Sequence, residues 1–189
     1  MIKIPIEISA RHIHLSRADL DILFGKNYQL TIKKEISQPG QFSAEEQVEI
    51  QGSKGTIEKV RIVGPLRKNT QVELSITDCY KLGIDPIIKA SGDIQNTSVA
   101  LIIGPVGKVK LSTGVIVSQR HLHIEPTLAK NNNLKDLQVI SIKTSGQRSV
   151  IFNNVIVRSR EGIDTLSFML DTDEANAAGI VDNQFGEII

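Results

Sequence analysis

The chain opens on a period of two. Ile2, Ile4, Ile6 and Ile8 alternate with Lys3, Pro5 and Glu7, the pattern of a half-buried strand. Pro5 cannot donate to a ladder and predicts an edge strand or an unpaired position. β-rich runs return in VRIV at 60–63, QVELS at 71–75, VALII at 99–103, KVKL at 108–111, GVIVS at 114–118, LQVISIK at 137–143, SVIFNNVIVR at 149–158 and LSFML at 166–170. Gly or Pro interrupts most of them at short intervals, as in GPLRKN and GPVGK. Short, closely spaced strands favour barrels or sandwiches over a parallel sheet.

Helical signals are few and brief. Ser16 and Asp19 have capping-box spacing, and the helix they open is expected to stop near Gly25. Thr77 is a cap candidate for DCYKL before Gly83, and Asp171 with Glu174 for EANAA before Gly179. Each half of the chain thus reads as a strand, an H-x-H, a short helical turn, further strands and a capped helix. Two related small β domains account for this better than one long domain.

That repeat is marked chemically. All four histidines fall in two copies of Arg-His-x-His: His12 and His14 behind Arg11, His121 and His123 behind Arg120. Equivalent positions lie 121 − 12 = 109 residues apart. On a strand, residues i and i+2 share a face, so both imidazoles of an H-x-H reach one metal ion, whereas a helix would splay them by roughly 200°. Neutral imidazoles joined by a carboxylate or thiolate suit zinc best among divalent metals. Glu73, in the strand before one predicted cap, is a candidate third ligand, because a carboxylate facing inward is costly unless neutralised. The corresponding strand before Asp171 offers only Met169, whose thioether is a poor zinc ligand. Arg11 and Arg120 read either as anion-orienting groups or as halves of structural salt bridges. Taken alone, Arg67 reads as a solvated turn residue after Gly64-Pro65.

Composition narrows the picture. The 189 residues carry a formal net charge of +1 and no long Lys/Arg cluster, which argues against nucleic acid or an anionic membrane as partner. The single cysteine, Cys79, excludes an intrachain disulfide framework and suits a reducing compartment. It reads as a packed small residue rather than a catalytic thiol. No apolar run approaches the ~18 residues of a membrane span, and the first residues lack the apolar block of a signal peptide. An H-x-H amidohydrolase needs a barrel of about 250 residues, and a P-loop or dinucleotide fingerprint is absent. Neither pair is followed by the spaced glutamate and distant histidine of a cupin-like barrel.

SARHIHLS, SQPGQFSAEE, VRIVGPLRKNTQVELSITD, the SGD at 91–93, VIVSQRHLHIEP, DTDEANAAGI and the terminal NQFGEII together resemble the PduL-type phosphotransacylases, or phosphate propanoyltransferases, nearly end to end. The resemblance implies a mainly β fold of two interwoven small β-barrels with short capping helices. One barrel is expected from residues 1–10 plus 119–189, the other from 11–118 with a small insertion around 25–45. It further implies a zinc-dependent exchange of propanoyl-CoA, or a similar short acyl-CoA, and phosphate for acyl phosphate and CoA. His12, His14 and Glu73 are implied to hold one zinc, which also meets the CoA thiol, and His121 and His123 a second on the phosphate side. Arg67 matches the phosphate-binding arginine and Ser91 the active-site serine, while Gln41 lies in the segment that approaches CoA. Met169 departs from the family's third histidine, so the second zinc is expected to be weak, completed by Asp171 or water, or absent. The missing ligand keeps a rival alive: a non-catalytic, metal-stabilised paralogue that binds CoA or a protein partner. The strand that begins at once, without the family's amphipathic extension for microcompartments, implies a cytoplasmic form, and apolar strand edges suit a homodimer.

Overall fold

The computed structural model describes residues 2–181 and 184–189; Asn183, which opens the quoted terminal segment, lies outside them. In chain order the strands are β1 (Ile4–Ile8), β2 (His12–His14), β3 (Ile32–Glu35), β4 (Phe42–Gln51), β5 (Thr56–Gly64), β6 (Gln71–Leu74), β7 (Ile88–Lys89), β8 (Ser98–Ile103), β9 (Lys108–Ser118), β10 (His121–His123), β11 (Val139–Thr144), β12 (Ile151–Arg158), β13 (Ser167–Leu170) and β14 (Phe185–Ile188). Four short helices accompany them: α1 (Arg17–Phe24), α2 (Ile76–Leu82), α3 (Pro126–Asn131) and α4 (Thr172–Ala178). The fold is mainly β, built as two closed six-stranded barrels.

One compact unit comprises Met1–Ala10, Ser37–Pro39 and Gln119–Ile189, the other Arg11–Ile36 and Gly40–Ser118. The barrels are interwoven in the chain: the path passes from one unit to the other at 10/11, 36/37, 39/40 and 118/119. In the first unit the strands close in the order β1-β13-β10-β12-β11-β14. Closure leaves β1 paired on both sides, parallel to β13 and antiparallel to β14, so Pro5 is not on an edge. Pro5 faces Phe185, and the neighbouring Ile6 N–H donates to the Gln184 carbonyl, which leaves Pro5 at a position where that ladder asks for no donor. Ile4, Leu122, Val155, Val157, Phe168 and Leu170 fill this core.

In the second unit β4, β5, β2, β6, β9 and β8 close on one another, with β3 and β7 attached outside the ring. Ile13, Ile50, Ile62, Val72, Val115 and Leu82 lie in its core. KVKL and GVIVS form one strand, β9, that runs through Gly114. Gly114 has φ +112°, and a Cβ there would meet the Thr70 carbonyl at 2.7 Å, so a side chain is excluded both by conformation and by space. The cap of α2 is Ser75, not Thr77: Ser75 accepts from Asp78 N–H in a full capping box, and Gly83 ends the helix in the left-handed region. α4 repeats this arrangement with Asp171, Glu174 and Gly179. Ser16 caps α1 by accepting from Asp19 N–H, and the helix ends at Gly25.

The two units share a local plan around the histidines. β2 lies parallel to β5 and antiparallel to β6, while β10 lies parallel to β12 and antiparallel to β13. In this plan His12 pairs with Glu73 and His14 with Gln71, whereas His121 pairs with Met169 and His123 with Ser167.

Candidate active site

Ile13, Val72 and Leu74 point into the second unit's core, and alternation turns His12, His14, Gln71 and Glu73 to the opposite face. His12 and His14 bring their Nε2 atoms to 3.2 Å. Glu73 Oε1 lies 3.8 Å from His12 Nε2 and 3.9 Å from His14 Nε2. Among the described residues these three form a group whose ligand atoms all lie within 4.8 Å of one another. His14 Nδ1 sits 2.9 Å from the Val63 carbonyl, which only accepts, so Nδ1 carries the proton and Nε2 presents a lone pair. Burial, with His12 and Arg67 nearby, lowers His14 to about 3 against the opposing pull of Glu73. Burial pushes Glu73 upward, but His12, His14, the Ser91 hydrogen bond and Arg67 outweigh it and bring the carboxyl to about 2. At neutral pH the cluster is therefore an ionised carboxylate beside a neutral imidazole.

A hydrogen-bonded chain ties this group to Arg67. Ser91 Oγ donates to Glu73 Oε1 at 2.8 Å and accepts from Arg67 Nη1 at 3.1 Å and Gln71 Nε2 at 2.9 Å. Gln71 Nε2 also donates to Glu73 Oε1 at 2.6 Å, and Gln71 Oε1 accepts from Gly92 N–H at 2.7 Å. Arg67 is held by its own backbone, whose N–H donates to the Leu15 carbonyl at 2.9 Å. The turn leading to it passes through Gly64, opposite Phe42 in the β4–β5 ladder, where a Cβ would fall 2.2 Å from the Phe42 ring. Arg67 and Ser91 are thus brought to Glu73, and Arg67 is not the solvated turn residue its sequence context suggests. Gln41 leads into β4, its carbonyl accepting from Ile36 N–H at 3.1 Å; among the described residues no hydrogen bond joins it to the cluster.

In the first unit the second pair is drawn closer still. His121 Nε2 and His123 Nε2 are 3.0 Å apart. His121 Nδ1 faces the Gln119 carbonyl at 2.8 Å and His123 Nδ1 faces Asp164 Oδ1 at 2.6 Å. Burial lowers His123, against Asp164. Burial raises Asp164, but Arg160 and His123 prevail and hold it below the usual carboxylate range. With both Nδ1 atoms turned to acceptors, the two Nε2 atoms converge on one point, an arrangement a cation satisfies. Among the described residues no third His, Cys, Asp or Glu completes this pair as Glu73 completes the first.

The two arginines are braces. Arg11 forks onto Asp78, Nε to Oδ2 and Nη2 to Oδ1, both at 2.8 Å. Arg120 Nε meets Glu174 Oε1 at 2.8 Å, with its guanidinium 5.3 Å from the Phe152 ring centre. Asp78 and Glu174 are the third residues of α2 and α4 and close their capping boxes, so each Arg-His-x-His strand is tied to the helix that follows its partner strand. Burial pushes Glu174 up to about 7 despite Arg120. Gln71, Asp164 and Gln38 were not singled out by the sequence. Gln71 had a signal, standing two residues before Glu73 on the same strand face. Asp164 comes from a loop 41 residues beyond its histidine and had none.

Fold and site together define a β-barrel protein with a two-imidazole, one-carboxylate cluster suited to a metal, linked through a serine to an arginine. The family model for phosphate propanoyltransferase matches residues 5–181. The phosphate propanoyltransferase of Thermotoga maritima is 49% identical over 93% of this chain and 83% of its own length. Those of Clostridioides difficile and Listeria monocytogenes are 42% and 41% identical, each over 98% of this chain and 88% and 87% of their own. The chain belongs to the phosphate propanoyltransferase family.

Proposed function

We propose that the protein interconverts propanoyl-CoA, or a similar short acyl-CoA, and phosphate with acyl phosphate and CoA. Its family membership supports the reaction, and one observation carries the assignment to residues: the unbroken chain from Arg67 through Ser91 and Glu73 to the paired imidazoles. His12, His14 and Glu73 are the proposed holders of a zinc ion. Two imidazole nitrogens and an ionised oxygen match zinc's usual three-ligand open site, and separations of 3.2–3.9 Å suit the edges of a tetrahedron with bonds of about 2.0–2.2 Å. When bound, such an ion supplies the charge that lets a CoA thiol react as thiolate at neutral pH.

The protein's own groups do the rest. Arg67 presents a planar, permanently charged fork that grips phosphate in two places. As the thiolate sulfur attacks the acyl carbonyl, the carbon–oxygen bond to phosphate breaks, and Arg67 meets the charge gathering on the departing phosphate. In reverse, phosphate oxygen attacks the thioester carbonyl and CoA leaves. Ser91 keeps Arg67 and Glu73 in fixed relation, and Gln71, anchored on Gly92 N–H, holds the carboxylate against the pull of the cation. His121 and His123 are proposed to hold a second cation on the phosphate side, and Gln41 to contact CoA. A cytoplasmic setting fits the lone, buried Cys79.

Thioester formation from acyl phosphate and CoA by zinc-loaded protein tests this reading. Arg67→Lys retains charge but loses the fork, and is expected to raise the KM for phosphate at least about tenfold with CoA affinity unchanged. Tight CoA binding with no thioester formed by the wild type would instead identify a binding protein without turnover.

A further inference from the structure

Met169 occupies, in the first unit, the place that Glu73 occupies in the second. It is the direct cross-strand partner of His121, as Glu73 is of His12, and direct partners in an antiparallel pair project to one face. Phe168 and Leu170, its neighbours, are buried in the core, so Met169 stands with His121, His123 and Ser167 on the opposite face. Its sulfur lies beside this row: Gln38 Nε2 donates to Ser167 Oγ at 2.9 Å, and the Ser167 hydroxyl has Met169 Sδ and the Thr165 carbonyl as acceptors, each at 3.5 Å. Gln38 is fixed in turn, its Oε1 accepting from Thr165 N–H at 3.0 Å. A side chain of high intrinsic flexibility is thus steered alongside the two convergent imidazoles.

We infer that the second histidine pair is a soft, two-nitrogen, one-sulfur metal site completed by the Met169 thioether, selective for a monovalent ion such as Cu(I) and weak for zinc. Thioether sulfur suits soft ions and serves zinc poorly. The first cluster contributes an ionised carboxylate to its ion, whereas His121, His123 and Met169 contribute neutral atoms only. Asp164 does not alter this. It faces the far nitrogen of His123 and shares its charge with Arg160, whose Nε and Nη2 lie 2.9 and 2.8 Å away. The two halves of the duplicated plan therefore carry unlike sites, one borderline and one soft.

This inference rests on the reading of both histidine pairs as metal sites, and the experiment separates the two. Metal-free protein is titrated with Zn(II) and, under reducing anaerobic conditions, with Cu(I), each against a competing chelator, and the copper-loaded form is examined by X-ray absorption. Wild type is expected to hold one zinc firmly and one copper with sulfur in its coordination sphere. Met169→Leu, which nearly conserves volume, is expected to lose the sulfur signal and at least about tenfold in Cu(I) affinity while zinc binding at the first cluster stays unchanged. Met169→His is expected to exchange preference, gaining a second firmly held zinc. Sulfur assignment is simple, because the chain has two methionines and one cysteine, and Cys79 is buried in α2 of the other unit. Copper binding that is indifferent to Met169→Leu, or two zinc ions held equally in wild type, overturns the soft site and leaves the proposed function standing. Failure of the second pair to bind either metal overturns the soft site alone, and failure of both pairs to bind any metal overturns both readings.

Discussion

His14 sets the acid limit of the second unit. Its folded value near 3 lies below the 6.5 of an ordinary imidazole, so between those values the unfolded chain takes up the extra proton, and stability rises with pH across that window. Glu73 adds the same sign: its contribution is complete above 4.5 and disappears as pH falls toward 2. Metal-free protein is therefore expected to lose stability steadily from pH 6.5 downward, read as a falling urea midpoint. His14→Gln should flatten that decline, and equal slopes in the two proteins would contradict the assignment. At this scale the sequence was informative wherever a residue's partner lay on the same strand face. The i, i+2 spacing put His12 with His14, and the neighbouring strand put Glu73 within reach. Asp164 stayed hidden because its pairing depends on loop closure rather than on any period.

Capping boxes and alternation made the elements readable, and irregularity concealed the others. α4 was legible from Asp171 and Glu174, but Thr77 drew the start of α2 two residues too late, since Ser75 and Asp78 have the same spacing and win by closing the full box. β4 escaped notice because its register shifts between Ser43 and Gln47, which breaks the period of two just where Glu45 and Glu46 add charge. The braces between strand and helix were left open by the sequence, which contains both partners of each but no distance between them. Arg11→Met strands the buried Asp78 carboxylate. Because the arginine is itself 45% exposed, the expected loss is modest, about 1–2 kcal/mol in thermal or urea unfolding. A readout specific to the site accompanies it: zinc affinity at the first cluster should fall, because β2 loses its tie to α2. Arg120→Met should disturb only the second pair. Unchanged metal affinity in both variants would reduce the braces to ordinary surface ion pairs.

For the whole molecule the governing fact is that β1 is a full member of a barrel whose other strands all come from the far end of the chain. Deleting residues 2–8 removes the shared partner of β13 and β14, turning a closed barrel into a sheet with two open edges. Hydrogen exchange should then accelerate across β10–β14 while the second barrel keeps its protection. Both tyrosines, Tyr28 and Tyr80, belong to the second unit, so their near-ultraviolet signal should survive the deletion. The same threading imposes an order on synthesis. Ile6 leaves the ribosome 162 residues ahead of Phe168, its ladder partner, an interval of roughly 8–30 s at typical elongation rates. By the time β9 completes the second barrel, the first has only β1, an apolar alternating ribbon whose partners β13 and β14 are the last strands to be made. Production of this protein at high expression should therefore depend on whatever shields nascent β1, and a synonymous slowing of translation late in the message should lengthen the exposure and lower the soluble yield.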